Sequence, residues 1–497
     1  MSADLDITRK DLIAACGEIR EGNTATGGVG ETSESETRGG SGQARSAAVP
    51  APGGTGPAFV AWPASTEEAA AVMRVAAQHE LAVVVRGGGS RLSWGTSPSR
   101  CDLVIDMSRM SGVVEHAAGD LVARMQAGAR MGDVAALLAR AGQEIALDVP
   151  ADASVGGVVA SGLAGPRRLR YGTPRDLLIG ITIVRADGTV AKAGGKVVKN
   201  VAGYDLGKLF AGSAGTLGLI TEATFRLHPL PAARAFVTAE YVAVSVACDA
   251  VAAAANSQLV ASAVELTRDE PAGPIRVGVL LEGSADGVEA RSLRMADLLG
   301  NGEVSVDAPI WWPGTPKVAS GETLVRVSFW VSALGRVLDA IAAAAARAGV
   351  SPATEGSAGA GVLYVRIRSG NTDDVPAAAA AEGTGVAAAE PATAGSVAAG
   401  SVAAGSVAAG SMTSGCAAAL RWAECRATAE FVGALRGALA GERGAVVVLT
   451  APAAVREELA GHGGMNGTVP GLALMRAVKD QFDPEHRMAP GRFPEEI

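Results

Sequence analysis

The 497-residue chain is poor in the residues that build metal sites, disulfide frameworks and membrane spans. Its five cysteines, Cys16, Cys101, Cys248, Cys416 and Cys425, are odd in number and widely scattered. That spacing suits reduced thiols packed in a cytosolic protein and offers no iron–sulfur run of closely spaced thiolates. The five histidines contain no H-x3-5-H pair, so no self-contained zinc site is expected and the metal expectation is none. No stretch of 18 strongly apolar residues occurs, and the N-terminus MSADLDITRKDLIAACGEIREG, interrupted by acids, lacks the apolar core of a signal peptide. The expected compartment is the cytoplasm, with any membrane association supplied by other subunits. Net charge is −8, so no broad cationic surface exists for a nucleic-acid backbone, and nucleic acid is not an expected partner. Only seven of the 43 basic residues are lysines, and four of these, Lys192, Lys196, Lys199 and Lys208, lie close together.

Glycine and proline, by contrast, are abundant, with 65 and 23 copies. Residues 24–57 have almost no large apolar side chains and cannot offset the entropy of ordering, so they read as a disordered linker after an N-terminal helical segment at 1–23. Residues 372–415 contain three GSVAA copies, beginning at Gly395, Gly400 and Gly405, and read as a flexible insertion. Between them, Ser65 and Glu68 form an S-x-x-E capping signal, followed by Ala69, Val72, Met73 and Ala76 on one face of a helix ending at Glu80. An apolar strand at Leu81–Val85, the loop Arg86-Gly87-Gly88-Gly89-Ser90, and a second strand at Leu103–Asp106 come next. Beyond residue 230 strands expected at 235–243, 275–282, 323–331, 362–368 and 445–450 alternate with helices near 245–256, 286–299, 332–348 and 428–440. This is a second domain of α+β type.

RGGGS follows a strand but opens onto another strand, unlike the dinucleotide fingerprint G-x-G-x-x-G, which opens onto a helix. A diphosphate would therefore be gripped by backbone amides in a nest and not by a helix tip. Three further glycine-rich segments add to it: PADASVGGVVASG from Pro150, RYGTPRD from Arg170, and GGKVVKNVAGYDLGKLFAGSAGTLGLIT from Gly194 to Thr221. Alone, each could be tight backbone packing. Together they offer several surfaces free of bulky side chains, as a large, flat, anionic cofactor requires.

In this order the segments resemble the FAD-binding domain of the vanillyl-alcohol oxidase/p-cresol methylhydroxylase (PCMH) superfamily, over residues 59–231 and again at 470–493. Within it the chain is similar to the smaller flavin subunit, the E subunit, of glycolate oxidase. The resemblance implies an α+β protein with a two-part PCMH-type FAD-binding domain at 58–231. An α+β, ferredoxin-like cap at 232–469 follows, and a segment at 470–497 returns to the FAD domain. Gly87, Gly88, Gly89, Ser90 and Arg91 match the family's pyrophosphate loop. Pro150, Ser154, Gly156, Gly157, Ser161 and Gly162 match a loop beside the pyrophosphate and flavin ring, and Gly218 and Ile220 match backbone bordering the flavin. Ser90 stands where some relatives carry a flavin-linked histidine, which implies non-covalent FAD. Lys196, Lys199, Asn200, Tyr204 and Asp205 belong to a family-specific run whose role is either near the flavin or partner, or in local folding. Ala489, in the tail Phe482-Asp483-Pro484 to Ala489-Pro490-Gly491-Arg492, replaces the family's asparagine.

Oxidising a 2-hydroxy acid needs a cation for the carboxylate and an acceptor for the hydroxyl proton. Residues 230–460 contain no histidine. Arg326, Arg366 and Arg368 are the candidate carboxylate ligands, each also readable as a solvated strand-face charge. Tyr241, Tyr364, Trp311 and Trp312 are readable as pocket or core, His228 reads as structural, and no catalytic base is assigned. The resemblance implies an FAD subunit that oxidises glycolate to glyoxylate beside a larger flavin subunit and an iron–sulfur subunit. The alternatives are a self-sufficient 2-hydroxy-acid dehydrogenase and a non-catalytic flavin-binding scaffold.

Overall fold

The computed structural model describes residues 2–21, 57–195, 204–368, 414–442, 444–492 and 494. Both low-complexity segments lie outside these but for Pro57, Ser414 and Gly415, as do Lys196, Lys199 and Asn200 and the side chain of Cys416. The first sheet runs in the order Ile19–Glu21, Phe59–Ala61, Leu103–Asp106, Val83–Arg86, with the last three strands parallel. Parallel neighbours need a crossover, and helix Thr66–Gln78 forms it. Ser65 caps that helix through the Glu68 amide at 3.1 Å, while the Glu68 carboxylate reaches back to the Ala64 amide at 2.8 Å. Its apolar face, Ala69, Ala70, Val72, Met73 and Ala76, is buried. A five-stranded antiparallel sheet completes the domain, ordered Val113–Ala117, Val122–Gln126, Leu219–Arg226, Leu178–Val184, Val190–Gly194. One hydrophobic core spans both sheets.

The second domain is an eight-stranded antiparallel sheet made of two βαββαβ halves. In the first half strand Ala233–Tyr241 lies between Glu303–Ser305 and Ile275–Gly283, with Ala263–Arg268 on the far side of the latter. In the second, Glu322–Ser328 lies between Ala445–Thr450 and Val362–Arg368, with Ala353–Gly356 on the far side of the latter. The second strands of the two halves, Ala263–Arg268 and Ala353–Gly356, pair with each other and join them into one sheet. Helices Val244–Asn256, Ala285–Leu298, Leu334–Ala348 and Ser414–Ala438 are the crossovers. Three strands were not expected: Ala263–Arg268, Glu303–Ser305 and Ala353–Gly356. The last helix begins well before residue 428, because its first turns are alanine-rich and carry no apolar periodicity to read.

Charged groups fasten the two domains together. Arg167 donates to Asp148 and to Glu144, both at 2.7 Å, and lies 3.5 Å from Glu282 of the cap. Glu282, almost fully buried, also takes Arg234 Nε at 2.9 Å and the Tyr171 hydroxyl at 3.3 Å. Burial alone pulls the Arg167 guanidinium down, but the three carboxylates outweigh it and raise its pKa.

Beside this junction, Glu265 is wholly buried, and burial pushes its carboxyl up to about 8, only partly opposed by the Ser357 hydroxyl and Arg168. Folding therefore takes up a proton wherever the unfolded carboxyl is ionised, so stability falls as pH rises through the folded value. Glu265→Gln, which mimics the neutral form, is expected to flatten that decline by on the order of 2 kcal/mol between about pH 6 and pH 8.5. Urea unfolding at both pH values reads it; parallel wild-type and variant profiles would show Glu265 ionised in the native state.

The C-terminal helix Leu472–Phe482 and the tail pack back on the first domain. Phe482 meets Phe210 edge-on at 5.4 Å. Val83 donates to Arg487 O and accepts from the Ala489 amide, both at 2.8 Å, so the tail adds a parallel bridge to the first sheet. Ala489 has φ 45°, a left-handed conformation that asparagine tolerates better than alanine.

Candidate functional site

A cavity of about 400 Å³ lies between the glycine loops and the cap. Its floor is the loop after strand Val83–Arg86, the helix Val155–Ser161 and the turn that leads into strand Leu219–Arg226. Its roof is strand Ala445–Thr450, Arg326 and the segment around Asn466, with Arg492 of the tail closing one side. Eleven of the thirteen residues matched to the flavin-binding loops line it: Gly87, Gly88, Gly89, Ser90, Arg91, Ser154, Gly156, Gly157, Ser161, Gly218 and Ile220. Pro150 and Gly162 do not. Pro150 O accepts from the Ala153 amide in the turn before Ser154, and Gly162, at φ 64°, ends the helix.

Residues 155–161, expected as part of a loop, form a helix. Ser154 is its N-cap, and its Oγ accepts from the amides of both Gly157 and Gly88 at 3.2 Å. The Gly88 amide is therefore spent on the protein. The amides of Gly89, Ser90 and Arg91 donate to no described acceptor. The glycines do two kinds of work. A Cβ on Gly87 would lie 2.0 Å from Ser154 Oγ, and one on Gly88 would lie 2.5 Å from Asp152 O, so both permit close packing of loop on helix. Gly212 and Gly215 instead have φ of 86° and 77°, and a Cβ there would meet nothing within 4 Å.

Arg492 is the clearest unmet partner in the wall. Its Nη2 donates to the carbonyls of Arg91, Leu92 and Trp94 at 2.9–3.1 Å, while Nε and Nη1 are buried without a partner. Burial, reinforced by nearby Arg456, pushes its pKa down to about 10, so it stays cationic at neutral pH. Arg91 covers the Trp94 ring at 4.5 Å. No histidine or carboxylate is among the residues described as lining the cavity. Free loop amides, an under-satisfied guanidinium and an acid-free lining fit an anionic dinucleotide.

Residues 57–194 match a family model described as an FAD binding domain. This stretch is an FAD-binding domain of the PCMH type. The fold agrees: the structure of p-cresol methylhydroxylase with substrate bound superposes with TM-score 0.66, covering 99% of this chain and 97% of that one at 14% identity. A carbohydrate oxidase from Microdochium nivale superposes with TM-score 0.60 over 90% and 92% of the two chains, at 15% identity. Among curated proteins, glycolate oxidase subunit GlcD of Bacillus subtilis is 34% identical over 221 residues, 43% of this chain and 46% of that protein. The D-lactate dehydrogenase of Archaeoglobus fulgidus is 37% identical over 168 residues, 34% and 38% of the two. The aligned part spans less than half the length of these relatives. FAD is the cofactor of this PCMH-type domain, and the loop amides at 89–91 together with Arg492 are the groups placed to hold it.

Of the cap arginines among the described residues, only Arg326 reaches the cavity of this FAD-binding protein. Arg366 is paired with Glu355 at 2.7 Å, and Arg368 with Glu322 at 3.0 Å. The Arg326 Nε is buried without a partner. Burial lowers its pKa, with Arg168 adding to the effect and Tyr364 opposing it. Tyr364 lies behind the wall, accepting from Arg168 at 3.2 Å. Trp311 and Trp312 pack with Phe236 and Arg276 on the cap, and Tyr241 donates to Leu299 O at 2.8 Å. His228 stacks edge-on against Tyr171 at 4.8 Å, its pKa lowered by burial and by neighbouring arginines. Tyr204 is exposed, and Asp205 pairs with Lys208 at 3.6 Å, away from the cavity lining. Sequence reasoning missed Trp94, the stretch Val447–Leu449, Asn466, Val469 and Met475.

Proposed function

We propose that this chain is an FAD-bearing subunit of a glycolate oxidase complex, in which a 2-hydroxy acid, glycolate, becomes glyoxylate. Its electrons then pass to a larger flavin subunit and an iron–sulfur subunit. The single observation that carries the reading is Arg326, a cation without a carboxylate partner in the cavity roof, facing the FAD-binding floor. Similarity to a glycolate oxidase subunit and to D-lactate dehydrogenases supports the substrate class. Bound FAD supplies the two-electron acceptor. The protein's own part is to fix the carboxylate on Arg326 by paired charge-assisted hydrogen bonds and to exclude water with the aliphatic wall of Val447, Val448 and Leu449. Ser90, with a hydroxyl where an imidazole would be needed for a covalent link, supports non-covalent FAD, so acid precipitation should release the colour.

Arg326→Met is expected to raise the KM for glycolate about 30- to 100-fold, or ~2–3 kcal/mol, with a smaller change in kcat. Steady-state kinetics of the reconstituted complex measures this, and an unchanged KM would remove Arg326 from the site. Anaerobic glycolate added to the isolated chain separates the self-sufficient reading, since bleaching without partner subunits favours turnover by this chain alone.

A further inference from the structure

The cap contributes a second polar side chain to the cavity, Asn466. It sits in a loop built to be held still. Arg436 donates to four carbonyls: Val446 at 3.2 Å, His462 at 2.7 Å, Gly464 at 2.8 Å and Met465 at 3.0 Å. The Val448 amide also donates to Met465 O at 2.8 Å, and the Met465 side chain is buried in the cap core. Gly463, Gly464 and Gly467 take φ of 84°, 61° and 63°, so the chain doubles back around the clamp. Arg326 stands directly opposite Val447 in the sheet. Asn466, next to the residue tied to Val448, is thereby delivered to the same end of the cavity. Its amide makes no hydrogen bond with a described side chain or backbone group, while its neighbours in the wall, Val447, Val448, Leu449, Val469 and Met475, are apolar. A rigidly presented amide in an aliphatic wall is a recognition element waiting for a polar partner.

We propose that Asn466 is the specificity residue that reads the substrate's 2-hydroxyl while Arg326 holds the carboxylate, and that the aliphatic wall selects 2-hydroxy monocarboxylates over dicarboxylates. This rests on the hydroxy-acid reading above. Asparagine offers both a donor and an acceptor, so it can pair with a hydroxyl in either sense. A site built around that bond rejects the analogue lacking the hydroxyl. A second carboxylate would meet Val469 and Met475 with no cation on the roof beyond Arg326 among the described lining residues. Arg436 is a positioning residue, acting through the loop.

The test uses 2-hydroxyisobutyrate, which has no α-hydrogen and binds without turnover, against isobutyrate, with both dissociation constants read from perturbation of the flavin spectrum of the FAD-loaded protein. The wild type is expected to prefer the hydroxy acid about tenfold. Asn466→Ala should bring the ratio to near unity while leaving the isobutyrate constant within about twofold, and Arg436→Met should shrink the ratio with Arg436→Lys restoring part of it. In the reconstituted complex 2-hydroxyglutarate should be oxidised at least about a hundredfold more slowly than glycolate or lactate. Equal weakening of both ligands in Asn466→Ala, or preference for the dicarboxylate, overturns this inference alone. A flavin spectrum that responds to neither acid overturns the hydroxy-acid reading and this inference with it. FAD content and unfolding temperature matched to wild type show that each variant has folded.

Discussion

Gly88→Val is expected to give a folded but colourless protein. The Cβ it adds would stand 2.5 Å from Asp152 O, a backbone atom, and 3.3 Å from Arg130 Nη1 and from the Ser154 amide. None of these can swing aside as the end of a flexible side chain could, except the arginine. Asp152 and Ser154 are held by the turn that caps helix Val155–Ser161, so the loop at 87–91 must lift instead. Lifting it breaks the Gly88–Ser154 hydrogen bond and moves the amides of Gly89, Ser90 and Arg91 away from the cavity. The hydrophobic core takes no part in this loop, so secondary structure survives. A thousandfold loss of FAD affinity, about 4 kcal/mol, is the expected size. The ratio of flavin to protein absorbance after gel filtration measures it, with circular dichroism as the control. A yellow variant at wild-type ratio would show that FAD is held elsewhere. Glycolate oxidation by the reconstituted complex should fall with the colour. Activity that survives in a correctly assembled complex whose variant chain carries no FAD would instead mark the chain as a scaffold.

How much of this was legible in the sequence depends on the range of the interaction concerned. Helix Thr66–Gln78 was readable because its cap, Ser65, and its apolar face lie within one window of residues. Helix Val155–Ser161 was not, since seven residues with two adjacent glycines have poor intrinsic helicity. What makes it a helix is tertiary. Gly156 lies against Ala127, where a Cβ would approach to 2.8 Å, and Ser154 is bridged to Gly88, 66 residues away. Strand Ala263–Arg268 buries all six of its residues, Glu265, Thr267 and Arg268 among them, and side chains of these types read along the chain as exposed. The arginines show the same limit in the site. Arg326, Arg366 and Arg368 look equivalent along the chain, and only the partners set them apart. Glu322 neutralises Arg368 from 46 residues away and Glu355 neutralises Arg366 across the adjacent strand, leaving Arg326 alone to face the cavity. Asn466 had no signal of its own, being one polar residue in a glycine-rich turn.

Lys479→Met should cost about 3–5 kcal/mol of stability, the penalty of breaking a buried ion pair by removing one partner. Lys479 is 1% exposed and donates to the Asp483 carboxylate at 2.6 Å, to Thr216 O at 2.7 Å and to Met488 O at 3.0 Å. Burial pulls its pKa down, against the pull of Asp483. Asp483, fully buried, also accepts from the amides of Arg487 and Met488, so this one pair ties three pieces of chain together. They are the C-terminal helix, the turn that carries Thr216 beside the cavity, and the tail that places Arg492 in its wall. Without the ammonium, the buried Asp483 carboxyl loses the cation that pairs with it, and the tail is the element with least else to hold it. Loss of stability should therefore be accompanied by loss of FAD. Urea unfolding and flavin content are measured together on Lys479→Met, Asp483→Leu and the double variant. Because the double variant leaves no unpaired charge, it should unfold at higher urea than Lys479→Met alone, with a coupling of about 1–3 kcal/mol. Strict additivity of the two single changes would show that the two side chains do not stabilise each other. Retention of FAD in a destabilised Lys479→Met would show that Arg492 is held by its own three carbonyl bonds and not by the latch behind it.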